Sequence, residues 1–246
     1  MKNLFNKVII VTGGNGLIGE SIVDDLISEG AIVINADVGL VDDYNNNQFF
    51  CDVTKEISVA TLLKTVVKKY DKIDGLVNNA YPKTADWGNK FEDIKYESWK
   101  KNIDIQLNSV FITTKAIVDI MKIQGFGSII NVASIYGCIA PDFSIYEGTN
   151  MTMPAAYSAI KGGVISYSKY LASYCGKYGI RVNCVSPGGI FNNQPDEFIG
   201  KYIKKVPLNR MGYPKDIAPA ISFLLSDKAN YITGHNLIID GGLTII

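Results

Sequence analysis

Tyr157 and Lys161 stand four positions apart in a stretch patterned as a helix, so a phenol and an amine project from one face. A free phenol titrates near about 10, too high for an efficient base at neutral pH. A neighbouring ammonium favours phenolate and turns the pair into a proton donor and acceptor for a substrate oxygen. Ser134 closes the apolar run 128–133. A hydroxyl at a strand end can donate to a carbonyl or developing alkoxide oxygen. Together the three suit proton transfer on an alcohol or carbonyl oxygen, the partner step of hydride transfer. The same spacing recurs at Tyr96 and Lys100. There no strand-end serine precedes it, and it reads as a solvated helix face.

Such groups need a scaffold that brings a strand end and the next helix together. Apolar β-branched runs at 8–11, 32–35, 75–78, 128–133, 181–185 and 236–239 alternate with helical patterns at 16–29, 57–70, 96–123, 155–178 and 216–225. That alternation predicts an α/β fold, a doubly wound parallel sheet with helices on both faces, as a single domain over residues 1–246. Two segments break the rhythm, 142–154 and 188–200. In such sheets these loops lie at the carboxyl ends of strands, where ligands bind.

The first turn carries the second chemical signal. Gly14, Gly16 and Gly19 follow the first apolar run and fit G-x-G-x-x-G, which lets the backbone approach a pyrophosphate at a helix N-terminus. Asp37 ends the second run, 18 positions beyond Gly19. An acid there accepts hydrogen bonds from adenosine ribose hydroxyls and repels a 2′-phosphate. No Lys or Arg occurs from Asn35 to Phe50. NAD is therefore expected over NADP.

Bulk properties narrow the function classes. The chain has 246 residues with 24 Lys+Arg against 24 Asp+Glu, so no global charge favours nucleic acid or an anionic membrane. Neither a signal-peptide core nor a bilayer-length apolar run is visible, and a cytoplasmic location is expected. Cys51, Cys138, Cys175 and Cys184 lack metal-ligand spacing and read as reduced, mostly buried thiols. His235 is the only histidine and sits in a turn, so no metal is expected.

TGGNGLIG (12–19), Asp37, CDVT (51–54), Asn78-Asn79-Ala80, Ser134, YSAIK (157–161), RVNCVSPGGI (181–190) and TGHNLIIDGG (233–242) resemble the short-chain dehydrogenase/reductase family. The resemblance runs from Lys7 to Gly242. It implies an enzyme with Ser134, Tyr157 and Lys161 as the catalytic set. It implies dinucleotide contacts from Gly13, Asn15, Gly16, Leu17 and Ile18 in the turn, with Asp52 and Val53 at adenine. Asn78 and Ala80 would line the adenosine side and steady the sheet, with Asn79 a further cofactor contact, and Pro187, Gly188 and Ile190 would pack at the nicotinamide end. It further implies a homo-oligomer, dimer or tetramer, with the C-terminal segment in a subunit interface.

Three departures stand out. Leu17 replaces the middle glycine of the usual short-chain turn. The family's active-site Asn falls at Gln106, which can keep the main-chain carbonyl that matters there; Asn108 is a nearby alternative. The Ser134-to-Tyr157 spacing exceeds the family's usual one, and the extra residues fall in 141–154. Tyr146, Glu147 and Asn150 of that insertion, with Tyr81, Lys83 and Asn192, predict a polar rim suited to a hydroxyl-rich small molecule. NNAYP (78–82) and IYEGTNMTMPAAYSAIKGG (145–163) are similar to short-chain dehydrogenases of bacterial surface-sugar loci, the flagellin-modification protein A type. A sugar, sugar-phosphate or nucleotide-sugar substrate is implied. Two alternatives stay open: a 3-oxoacyl-carrier-protein reductase, and a catalytically silent dinucleotide-binding protein.

Overall fold

The computed structural model describes residues 2–246. Seven strands form one sheet: β1 (Val8–Thr12), β2 (Ile32–Asp37), β3 (Gln48–Phe50), β4 (Gly75–Asn78), β5 (Gly127–Val132), β6 (Ile180–Pro187) and β7 (Asn236–Ile239). Their order is β3-β2-β1-β4-β5-β6-β7, and every neighbouring pair is parallel. The central strands are buried on both faces, which is why they read as unbroken apolar runs. The order reverses between β1 and β4, so a crevice opens at their carboxyl ends.

Helices cover both faces. On one, α2 (Glu56–Tyr70), α4 (Ser109–Gln124) and α5 (Ala155–Cys175) bury Leu62, Val66, Ile117, Met121 and Leu171 against the sheet. On the other, α1 (Leu17–Ser28) and α7 (Pro214–Leu225) bury Ile22, Leu26, Ile217 and Ile221. Asp71 and Gly125 end α2 and α4 in the left-handed conformation, a common helix stop.

The expected elements are present, with three differences. The single helix expected over 96–123 is divided into α3 (Tyr96–Ile103), a π turn (Asp104–Asn108) and α4. The edge strand β3 is too short for its pattern to register. The Gly-, Asn- and Pro-rich segment 188–200 carries the start of α6 (Asp196–Ile203), which buries Phe198 and Tyr202. Among the described residues no helix is long and apolar enough to cross a membrane.

Candidate active site

A cleft of about 680 Å³ opens over the carboxyl ends of the strands. One end is built around the glycine turn. Thr12 ends β1, and its Oγ1 accepts from the N–H groups of Asn79 (3.1 Å) and Ala80 (3.2 Å). Asn79 Nδ2 donates to the Gly13 carbonyl at 2.9 Å, so the turn is tied to the end of β4. Gly13 has φ +66°, and a Cβ there would lie 2.7 Å from Ala80 Cα. Gly16 differs: a Cβ would meet only the Gly13 carbonyl, at 3.3 Å, and its φ is ordinary. The fold presses on that position less than on Gly13, and its open side leaves room for a ligand close to the turn. Gly16 is also the N-cap of α1 and offers no side chain to the first N–H groups of the helix. Those donors remain available to an anion. These residues fit a dinucleotide.

Gly13, Gly16, Leu17, Ile18, Asp37, Asp52, Val53, Asn79 and Ala80 all line this end. Asn15 does not, but its N–H donates to Asp37 Oδ2 at 3.3 Å. Asp37 Oδ1 accepts from Gly39 N–H at 2.9 Å. Asp52 Oδ1 accepts from the Thr54 backbone and hydroxyl, a local turn before α2.

The other end holds the tyrosine and lysine of the YSAIK segment. Tyr157, Lys161, Pro187, Gly188, Ile190 and Asn192 line it, as do Tyr81 and Lys83. Ser134 is buried and does not line the cleft; its Oγ accepts from the Tyr136 N–H at 3.2 Å. The Lys161 amine donates to the Val132 carbonyl at 2.8 Å and lies 5.6 Å from the ring centroids of both Tyr81 and Tyr157. Tyr81, Trp87 and Tyr157 pack edge to face, with centroids 5.8–6.2 Å apart.

Electrostatics depart from the simple expectation that the ammonium pulls the phenol down. Burial pushes Tyr157 up, and only the Ser134 hydroxyl opposes it. Burial pushes Lys161 down to about 8. Burial thus favours the un-ionised phenol and weakens the ammonium beside it. A dry, low-dielectric site favours the neutral forms until another charge arrives.

A polar chain missed in the sequence fixes the helix that carries the pair. Thr113 Oγ1 donates to Asn78 Oδ1, and Asn78 Nδ2 to Asn131 Oδ1, each at 2.8 Å. Asn131 Nδ2 then donates to Ser168 Oγ on α5 at 2.7 Å. Asn78 and Asn131 are cross-strand partners, so two amides on neighbouring parallel strands were the available signal. Gly137 approaches α5 so closely that a Cβ would meet the Lys161 carbonyl carbon at 2.6 Å.

Gln106 lies on the π turn, a geometry frequent at functional sites. It is buried, does not line the cleft, and among the described residues neither of its amide side-chain atoms has a partner. Its carbonyl accepts from Ser109 Oγ at 2.8 Å.

The insertion 141–154 corrects the expectation of a polar rim on its side. Tyr146 is buried in an apolar cluster with Ile145, Phe198, Tyr202, Val206 and Met211, because aromatic burial outweighs presenting one hydroxyl. Glu147 and Asn150 are exposed and do not line the cleft. The Glu147 carbonyl instead accepts from Lys201, and Lys205 pairs with Asp142 at 2.5 Å. The insertion is thus bolted to α6.

Residues 15–244 match the family profile described as Enoyl-(Acyl carrier protein) reductase. The chain belongs to the short-chain dehydrogenase/reductase family. This oxidoreductase is 33% identical to Post-translational flagellin modification protein A of Campylobacter coli, across 97% of this chain and 98% of that one. It is 32% identical to the NAD-dependent glycerol dehydrogenase of Listeria innocua, over 99% and 96%. The crystal structure of a short-chain dehydrogenase from Leptospira borgpetersenii with bound NAD+ superposes with a TM-score of 0.89. It is 37% identical, covering 98% of this chain and 94% of that one.

Proposed function

We propose that this family member, acting as one domain over residues 1–246, is an NAD(H)-dependent oxidoreductase that interconverts an alcohol and a carbonyl. One observation carries the reading: Tyr157 and Lys161 line the same cleft as the glycine turn and Asp37. The turn from Gly13 to Ile18 would hold the pyrophosphate, Asp37 the adenosine ribose, and Asp52 with Val53 the adenine. Asn79 and Ala80 would back the adenosine side; Pro187, Gly188 and Ile190 would flank the nicotinamide. Bound NAD supplies the hydride acceptor, and its reduced form the donor. Tyr157 gives or takes the proton at the substrate oxygen, and Ser134 donates a hydrogen bond to that oxygen. Lys161 holds ribose hydroxyls and brings positive charge to the phenol. Gln106 stands at the family's Asn position and supports the amine through its main chain.

The substrate proposed is a sugar, sugar-phosphate or nucleotide-sugar derivative used in surface glycan synthesis. Lys83, Asn192 and Gln194 give that mouth polar groups, and the relative from Campylobacter coli is named for flagellin modification. The four cysteines are free, which suits a cytoplasmic setting. A homo-oligomer is favoured by two exposed surfaces. Tyr170 and Tyr174 continue a stacked aromatic row along α5, and the tail exposes Ile245 and Ile246. Light scattering in solution would show the assembly.

The deciding experiment screens sugar phosphates, nucleotide sugars and nonulosonic acids with NAD, with acetoacetyl thioesters as the control class. Tyr157→Phe is expected to lower turnover by about 10²–10⁴-fold, the usual worth of a positioned acid or base. NAD should still raise the melting temperature of that variant through linkage. Undiminished turnover in Tyr157→Phe would remove the phenol from the mechanism.

A further inference from the structure

Asn35 on β2 is more than nine-tenths buried, and its Oδ1 has no hydrogen-bond partner among the described residues. An unmade bond at a buried carbonyl is costly, so its persistence calls for a compensating role. Two contacts define what the side chain does. Its Nδ2 donates to Asn15 Oδ1 at 2.9 Å, reaching from the sheet to the tip of the glycine turn. Its orphaned Oδ1 faces Gly14: a Cβ at Gly14 would lie 2.1 Å from that oxygen, and the three nearest atoms all belong to Asn35. Gly14 has no positive φ, so its backbone could accept alanine. What forbids a side chain there is Asn35. Gly14 presents only a Cα–H to the oxygen, a weak donor.

The tip held in this way is the part of the turn that meets Asp37. Asn15 presents its side-chain oxygen to Asn35 and its N–H to Asp37 Oδ2. The same tie thus fixes the turn and the carboxylate relative to each other. That carboxylate is the group proposed to accept the ribose hydroxyls and to repel a 2′-phosphate.

We propose that Asn35 is a positioning residue of the dinucleotide site, which through Asn15 sets the spacing between the glycine turn and Asp37 and so the preference for NAD over NADP. The inference rests on the NAD reading above. Gly14 and Asn35 form a matched pair, a missing side chain on one element and a filled space from the other.

The test is direct binding of NAD and NADP by calorimetry, with no substrate present, on the full chain. Failure of the parent protein to bind NAD would sink the cofactor reading; the outcomes below concern Asn35 alone. Asn35→Ala is expected to weaken NAD about fivefold, the equivalent of one ordinary hydrogen bond, with a smaller change for NADP, so the ratio falls. A purely structural role would move the melting temperature and leave the ratio at its parent value; that result overturns the proposal. Asn15→Ala, at an exposed position, removes the same bond from its other end and should lower the ratio likewise; an unchanged ratio there also overturns it. Gly14→Ala should lose NAD binding by an order of magnitude or more, because the new methyl meets the Asn35 side chain and shifts the turn out of place. Gly14→Ala combined with Asn35→Ala should bind NAD more tightly than Gly14→Ala alone. If the pair is no better than the single change, the matched-pair geometry is wrong.

Discussion

The glycine-turn end of the cleft and the insertion 141–154 are built on different principles. The turn is backbone held by short side-chain ties: a positive-φ glycine against Ala80, a threonine hydroxyl accepting two N–H groups, an asparagine amide donating to the Gly13 carbonyl, and an uncapped helix start. The insertion beyond Ser134, none of whose residues lines the cleft, is by contrast side chains held by side chains. The insertion 141–154 packs Tyr146 on Phe198 at 5.3 Å, Phe198 packs on Tyr202 at 5.7 Å, and two lysines of the α6 region reach back to the insertion. A backbone cradle tolerates little substitution at its close contacts. A side-chain wall can change composition as long as its apolar volume is kept.

The sharpest way to break that contrast is Gly13→Ala. A Cβ in a left-handed turn, 2.7 Å from Ala80 Cα, should abolish the rise in melting temperature caused by NAD. Retained stabilisation by NAD would mean that the turn is looser than its geometry.

At the insertion, Phe198→Ala should loosen the apolar cluster by about 3 kcal/mol. Limited proteolysis would then cut within 141–154 while NAD affinity stays at the parent value. Equal loss of NAD affinity would show the two regions to be one unit. Lys205→Ala removes only the ion pair to Asp142, both partners of which are largely exposed. It should raise KM severalfold at most and leave NAD affinity alone.

A further test is one of pH. Burial lowers Lys161 from an ordinary 10.5 to about 8 in the folded, cofactor-free protein. Between those values the unfolded chain holds a proton that the folded chain has lost, so folding grows more favourable as pH rises. The melting temperature of the parent relative to Lys161→Met should climb from about pH 8 to about pH 10. A flat difference would place the amine in a wetter site than the Val132 bond implies.

Legibility in the sequence follows the same division. Alternating apolar runs and the glycine spacing are local patterns, and they map onto β1, α1, β2 and the crevice directly. Asp37, Tyr157 and Lys161 could be read because their spacing is fixed by single elements. Tyr146 could not. Its hydroxyl suggests a rim, but its ring finds Phe198, which stands 52 positions away on a helix that the Gly- and Pro-rich context conceals. Gln106 could be placed in the chain but not on its π turn, since one extra residue per turn leaves the apolar pattern nearly unchanged. The Asn35–Gly14 contact was invisible for a related reason: each residue is ordinary alone, and only their adjacency gives them meaning.

Gly137 has a consequence for how such enzymes diversify. The chain leaves Ser134, touches the α5 backbone at Gly137, and only then departs into the insertion before returning at Tyr157. Ser134 and Tyr157 are thus anchored before the excursion begins and after it ends. That excursion is therefore an interchangeable module, and a segment of another length or polarity could be spliced between the anchors to give a new selectivity on an undisturbed engine.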